Sequence, residues 1–209
     1  MTRCRHDKPV EFSAPWRHRV ERGDPPLDLT QFFPNRQLLE IEIGHGKGSF
    51  LIEAAQTRKD RDFLGIEWSN GRHIFTGERV AKRNLPNVKL LQGDASEILR
   101  EQLPALCAVA VHLYFPDPYW KKRHFKRRII SPEFLETLLR VLVPGGHFFM
   151  KSDVPERFES MVAAIAHRPE LERIDFDLAY SPYPVVVSNF EQKALVAGRP
   201  IGRAAYRRN

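Results

Sequence analysis

Leu38-Leu39-Glu40-Ile41-Glu42-Ile43-Gly44-His45-Gly46-Lys47-Gly48, followed by Ser49-Phe50-Leu51-Ile52-Glu53-Ala54-Ala55-Gln56, is the stretch that decides the fold. LLEIEI has the texture of a strand, and SFLIEAAQ places Phe50, Leu51, Ala54 and Ala55 on one face of a helix. Between them, glycines at alternate positions let the chain turn tightly. They also let a ligand approach backbone where a Cβ would collide. The unit is strand, glycine turn, helix.

The alternation continues outward. DFLGIE (62–67) and NVKLLQ (87–92) read as strands, with a helix over about 71–84 between them and a short helix near 95–102. CAVAVHLYF (107–115) is apolar enough for a strand buried on both faces, with His112 its one strongly polar member. A helix then opens at Ser131 as N-cap with Pro132 in its first turn and an apolar face of Phe134, Leu135, Leu138, Leu139 and Leu142. Pro144-Gly145-Gly146 stops it before a fifth strand, HFFMKSD, and Phe158, Met161, Val162 and Ile165 mark one more helix. RIDFDLAY, PVVVSNFE and PIGRAAYRR read as further strands. This order predicts one α/β domain over 37–209, a doubly wound, mostly parallel sheet of about seven strands with helices on both faces. Its ligands should sit outside the carboxyl ends of the strands near the point where strand order reverses. Residues 1–36, with five prolines among many charges and no sustained apolar period, read as an irregular arm pinned to the core by Trp16, Phe32 and Phe33.

Bulk properties narrow the function. The net charge of +7 favours a polyanionic partner, leaving RNA, DNA or an anionic membrane open. No apolar stretch approaches the ~20 residues of a membrane span, and MTRCRHDKPV lacks the apolar core of a secretory signal, so a cytoplasmic protein is expected. Cys4 and Cys107 stand too far apart and too differently placed to suggest a disulfide framework or a zinc cluster, and no metal is expected.

Glu42, Glu67, Asp94 and Asp117 close four successive strands and should share one rim. The loop departs from G-x-G-x-x-G because its third glycine, Gly48, comes one residue early. An acid two residues before Gly44 would repel a pyrophosphate but could accept a hydrogen bond from the ammonium of a methionine moiety. These features favour S-adenosylmethionine over a dinucleotide, held by Glu42, Gly44, Gly46, Glu67 and Asp94. Glu67 is placed for the ribose hydroxyls and Asp94 for the adenine amino group.

Phe115-Pro116-Asp117-Pro118-Tyr119-Trp120-Lys121-Lys122-Arg123-His124-Phe125-Lys126-Arg127-Arg128 is the most specific segment. Six of the eight residues from Lys121 to Arg128 are Lys or Arg, beside Tyr119 and Trp120, so phosphate attraction and base stacking can occur together. This segment resembles the signature of the bacterial tRNA (guanine-N7) methyltransferase family, in which FPDPW and a K-x-x-H-x-KRR run follow the fourth strand. The resemblance runs from about Leu38 to Arg208 and takes in EIGHGKG, GIE, GDA, Asp153, SNFE and the GRPIGRAAYRR tail. It implies a Rossmann-like class I methyltransferase acting on tRNA, with guanosine 46 of the variable loop as the usual target. By the same resemblance Glu42, Glu67, Asp94 and Asp117 contact S-adenosylmethionine, while Lys121, Asp153 and Ser188-Asn189-Phe190-Glu191 hold the RNA. The chain departs from the family at Tyr119-Trp120, at Lys151-Ser152 and at Ser188-Asn189, where Thr-Lys is usual. Asp117, with Asp153, is the candidate for stabilising positive charge on the purine; His124 is assigned to phosphate or structure, and His45 and His112 to structure. A class I methyltransferase for another RNA base and a non-catalytic RNA-binding relative are the alternatives.

Overall fold

The structure is a computed structural model that describes residues 17–21, 23–35, 37–116, 130–183 and 188–209. Eight strands form one sheet in the order β1-β4-β3-β2-β5-β6-β8-β7. They are β1 (Arg17–Arg19), β2 (Leu38–Ile43), β3 (Arg61–Glu67), β4 (Val88–Gln92), β5 (Ala108–Tyr114), β6 (Leu142–Ser152), β7 (Leu171–Ile174) and β8 (Gly202–Arg208). The pairs from β1 to β6 are parallel, and β8 runs antiparallel between β6 and β7. Strand order reverses between β2 and β5, which opens a crevice at their carboxyl ends.

The helices are α1 (Leu29–Phe32), α2 (Ser49–Thr57), α3 (Asn70–Lys82), α4 (Ala95–Glu97), α5 (Pro132–Val141), α6 (Pro155–Ile165), α7 (Phe176–Tyr180) and α8 (Asn189–Val196), with a π turn at Ile98–Gln102. Ile41, Ile43, Leu64, Ile66, Val111, Leu113 and Phe148 face one layer with Leu135 and Leu138 of α5 and Met161 and Ile165 of α6. Phe63, Leu90, Ala110 and Phe149 face the other, under Phe50, Leu51 and Ala54 of α2, Val80 of α3 and Tyr180 of α7. Burying a side chain of this size contributes roughly 1.5–3 kcal/mol, so the two layers fix where the strand ends stand.

Ser131 caps α5 as the sequence predicts, its side chain accepting from the Phe134 N–H at 3.1 Å, with Pro132 at the first turn. Four segments differ from the sequence reading; one is β6, which begins at Leu142, so that Leu142–Gly146, read as the end of the helix and its stop, belong to the strand. Within the stretch read as an irregular arm, Arg17–Arg19 pairs with β4 and Leu29–Phe32 forms a helical turn capped by Asp28, with Leu29 and Phe33 buried. A three-residue polar edge strand carries almost no hydrophobic pattern to read. Trp16 lies outside the described residues. RIDFDLAY holds a strand only as far as Ile174; Asp175 accepts from the Leu178 N–H at 2.8 Å and turns the rest into α7. SNFE is not strand either. Ser188 caps α8, accepting from the Glu191 N–H at 3.1 Å, which is the S-x-x-E capping pattern. Pro184-Val185-Val186-Val187 lies outside the described residues.

Candidate cofactor and RNA site

Parallel register sets the site. Glu42 lies opposite Gly65 and Glu67 opposite Gln92, so three neighbouring strands end in the same plane. Glu42, Gly44, Gly46, Glu67 and Asp94 line one cavity of about 1060 Å³, joined there by Tyr114, Phe115, Lys151, Tyr180, Ser188, Phe190 and Glu191. The cofactor half of the predicted site and the Ser188–Glu191 segment therefore share one space.

The glycine turn has positive φ at Gly44 (71°), Gly46 (53°) and Gly48 (68°). A Cβ on Gly44 would meet nothing within 4 Å, whereas one on Gly48 would fall 2.4 Å from Cγ2 of Thr76 on α3. Gly44 leaves room for a ligand; Gly48 lets α3 pack against the loop. Glu67 is buried, and its two oxygens accept the Gly46 N–H at 3.0 Å and the Ser69 N–H at 2.8 Å. Each carboxylate oxygen retains a second lone pair, as capture of two hydroxyls requires. Asp94 caps α4 through the Ser96 N–H at 2.8 Å and is otherwise exposed at the cavity mouth.

Glu42 differs from both. It is 5 % exposed, and its Oε2 has no hydrogen-bond partner among the described residues. Burial pushes its pKa up to about 8; the Leu51 N–H opposes this, the nearby Glu67 charge adds to it and Lys151 opposes it. A buried carboxyl oxygen without a partner, on a residue that lines a cavity, is a place for a cationic or N–H donor group, so the residues fit the ammonium of a methionine moiety. Beside it, His45 is buried, its pKa pushed down to about 3 by burial and by His73; its Nδ1–H donates to the Gly46 carbonyl at 3.2 Å. His45 also lines the cavity, and its Nε2 has no hydrogen-bond partner among the described residues.

At the substrate end, Lys151 extends from the carboxyl end of β6 with its Nζ 4.4 Å from the Tyr180 ring centroid and 5.0 Å from that of Tyr114. Phe115 has φ +50° and stacks on Phe190 with centroids 6.2 Å apart. A left-handed non-glycine residue costs roughly 1–2 kcal/mol, here at the last turn before Asp117. The Arg157 guanidinium donates to the carbonyl of Pro116, the last described residue before Asp117, at 2.9 Å. Arg203 pairs with Glu191 at 3.1 Å, and Arg199 with Asp153 at 2.8 Å. Asp153, which follows β6, does not line the cavity. Asp117, Tyr119, Trp120, Lys121, His124 and the Lys126–Arg128 run lie outside the described residues, as does the Asn189 side chain.

The chain matches, over residues 36–204, a family described as "Putative methyltransferase". The tRNA (guanine-N7)-methyltransferase of Alkalilimnicola ehrlichii is 35% identical over 184 residues, covering 88% of this chain and 78% of its own. That of Syntrophotalea carbinolica is 32% identical over 201 residues, covering 96% and 87%. This chain belongs to the tRNA (guanine-N7)-methyltransferase family. Among solved structures, the 16S rRNA methyltransferase KamB aligns with a TM-score of 0.61 at 15% identity over 86% of this chain and 91% of that one. A SAM-dependent methyltransferase from Aquifex aeolicus aligns at 0.57 and 14% identity over 82% of each. Identities that low speak for the fold alone, which is the Rossmann-like class I methyltransferase fold.

Within this member of the tRNA (guanine-N7)-methyltransferase family, sequence reading missed several residues. Trp68, 72% exposed at the cavity mouth directly after Glu67, falls in the gap between the strand and the helix read from the sequence and was given no role there. Tyr114 and Tyr180 reach the cavity from segments read as core. Arg157, Arg199 and Arg203 act on residues 41, 46 and 12 positions away in sequence, a distance at which no local pattern points to the partner.

Proposed function

We propose that the protein transfers a methyl group from S-adenosylmethionine to N7 of a guanosine in tRNA, at position 46 of the variable loop, and that it does so in the cytoplasm. The observation that supports this most strongly is the continuity of one cavity from the unpartnered Glu42 carboxyl to the Ser188–Glu191 cap, with Phe115 and Pro116 on its wall. Among the described residues no helix is long and apolar enough to cross a membrane.

In this reading Glu42 takes the ammonium of the cofactor, Glu67 its ribose hydroxyls and Asp94 its adenine amino group, with Gly44 and Gly46 leaving the backbone bare beneath it. Bound S-adenosylmethionine supplies a methyl group already activated on a sulfonium. Guanine N7 attacks with an sp2 lone pair and loses no proton, so the protein needs no general base. Its task is to hold the acceptor in line, where orientation alone is worth several kcal/mol. Positive charge builds on the purine as N7 is alkylated, and a carboxylate that meets it there favours the transition state over the bound ground state. Asp117, between Pro116 and Pro118, is assigned that role, with Asp153 behind it. Lys121 and Ser188-Asn189-Phe190-Glu191 hold the RNA, and Lys126–Arg128 attract its phosphates. N7 lies on the major-groove edge, which is deep and narrow in A-form RNA, so a target in an irregular loop suits this chemistry.

The test is methyl transfer from labelled S-adenosylmethionine to unmodified tRNA, followed by nucleoside analysis. Label is expected in 7-methylguanosine and is expected to vanish when the variable-loop guanosine is replaced. Label in another nucleoside would overturn the assignment, and cofactor binding without transfer would make the chain a non-catalytic relative. Asp117→Ala is expected to abolish transfer without unfolding the protein. Neutralising Lys126–Arg128 should weaken tRNA binding and reduce its salt dependence by about 0.9 in log–log slope for every phosphate that these side chains neutralise.

A further inference from the structure

The surroundings of Lys151 are unusual for a lysine. It is 6 % exposed at the carboxyl end of β6 and lines the cavity. Its ammonium rests over the rings of Tyr180 (4.4 Å), Tyr114 (5.0 Å) and Phe176 (5.7 Å). Among the described residues it forms no ion pair: the Glu191 carboxylate pairs with Arg203, and the Asp153 carboxylate with Arg199. Ring faces offset the charge of a cation, but they leave its N–H groups available to a stronger acceptor.

Its position across the sheet defines what that acceptor is. The cofactor acids stand at the ends of β4, β3 and β2, and β6 lies two strands further on in the order β2-β5-β6, roughly 10 Å from β2. Lys151 pairs in register with Tyr114, one residue before the left-handed Phe115. It is thus on the acceptor side of the cavity, between the open Glu42 and the Glu191 cap. Guanine presents two acceptors on its major-groove edge, N7 and O6, while adenine presents N7 and an amino donor. When N7 attacks a methyl group its lone pair is committed, and O6 is the remaining acceptor on that edge.

We propose that Lys151 is a specificity-determining residue that donates a hydrogen bond to O6 of the target guanine, which selects guanine over adenine at the moment N7 reacts. This rests on the N7-guanine reading above but not on which nucleotide of tRNA is the target. Adenine would set its amino hydrogens against the lysine donors, leaving buried donors unpaired, a mismatch worth about 10- to 100-fold in discrimination. Burial also lowers the lysine pKa.

The experiment uses the full chain and tRNAs carrying guanosine, 6-thioguanosine or inosine at the nucleotide that the wild-type protein methylates. Sulfur is a weak acceptor in the place of O6 while N7, N1–H and the 2-amino group are retained; inosine keeps O6 and loses the 2-amino group. The wild-type protein is expected to favour guanosine over 6-thioguanosine about tenfold or more in kcat/KM. In Lys151→Met that ratio should fall toward one, with the guanosine-to-inosine ratio unchanged and S-adenosylhomocysteine affinity within about twofold of wild type. If the Met variant does not fold, Lys151→Gln, whose donor is too short to reach, is read the same way and is expected to flatten the same ratio. An equal guanosine-to-6-thioguanosine ratio in wild type and variant overturns the proposal, as does a loss confined to cofactor affinity. Failure of the wild-type protein to make 7-methylguanosine at all is a separate result that removes the N7 reading and this proposal together.

Discussion

Glu40 and Glu42 are two residues apart on β2, point to the same face of the sheet and are both buried, yet their surroundings are opposite. Glu40, toward the amino end, is enclosed by charge: Arg61 lies 3.4 Å from one oxygen and His112 Nε2 3.0 Å from the other, and His112 Nδ1 in turn meets the Tyr114 hydroxyl at 2.8 Å. A smaller cavity of about 360 Å³ beside it is lined by Glu40, Arg58 and Arg61 themselves. Glu42, toward the carboxyl end, keeps one oxygen without a partner at the edge of the large cavity. One end of the ladder is satisfied internally and the other is left for a ligand. Burial of an acid therefore says little about function until its partners are counted.

The largest effect that sharpens this contrast is expected at the closed end. Glu40→Ala leaves Arg61 and His112 facing an empty site and should destabilise the fold by about 3–5 kcal/mol, read as a loss of denaturation midpoint. At the open end, Glu42→Gln should match the wild-type melting temperature at about pH 4.5 and exceed it toward neutral pH, while weakening S-adenosylhomocysteine binding by about 1.5–3 kcal/mol, the worth of a charged hydrogen bond. The pH signature has a definite sign. A carboxyl raised to about 8 in the folded protein binds a proton that the unfolded chain has released above its ordinary range, so folding stability from this group falls as pH rises from about 4.5 to about 8. Glu42→Gln should remove that slope. The smallest effect separates two glycines of the turn. Gly48→Ala should cost about 1–2 kcal/mol of stability through its positive φ, plus the displacement of Thr76. Gly44→Ala carries the same kind of strain without the clash and should act mainly on cofactor affinity.

Much of this was legible in the sequence because it is local. The alternation of LLEIEI, the glycine turn and the acids that close β2, β3 and β4 are strand-end features, and parallel register brings strand ends together once the order of elements is known. Ser131 and Pro132 mark their helix start without reference to anything distant. What was not legible depended on partners far along the chain or on competing local signals. Glu40 looks like the solvent side of an alternating strand until His112, 72 positions later, is placed against it. The β-branched Val185-Val186-Val187 run suggested a strand and masked the Ser188–Glu191 capping pattern that opens α8. Phe115 adopts its left-handed turn although nothing in its side chain favours one. The occupation of Asp153 by Arg199 and of Glu191 by Arg203 arises only when β8 folds back beside β6.

The most direct test of the open carboxyl is calorimetry of S-adenosylhomocysteine binding between about pH 6 and pH 7.5, below the range where an α-amino group of the ligand loses its own proton. If Glu42 must release a proton to receive that ammonium, affinity rises with pH by up to about tenfold per unit in the wild-type protein and is weak and flat in Glu42→Gln. Binding that is independent of pH and equal in the two proteins would contradict the assignment.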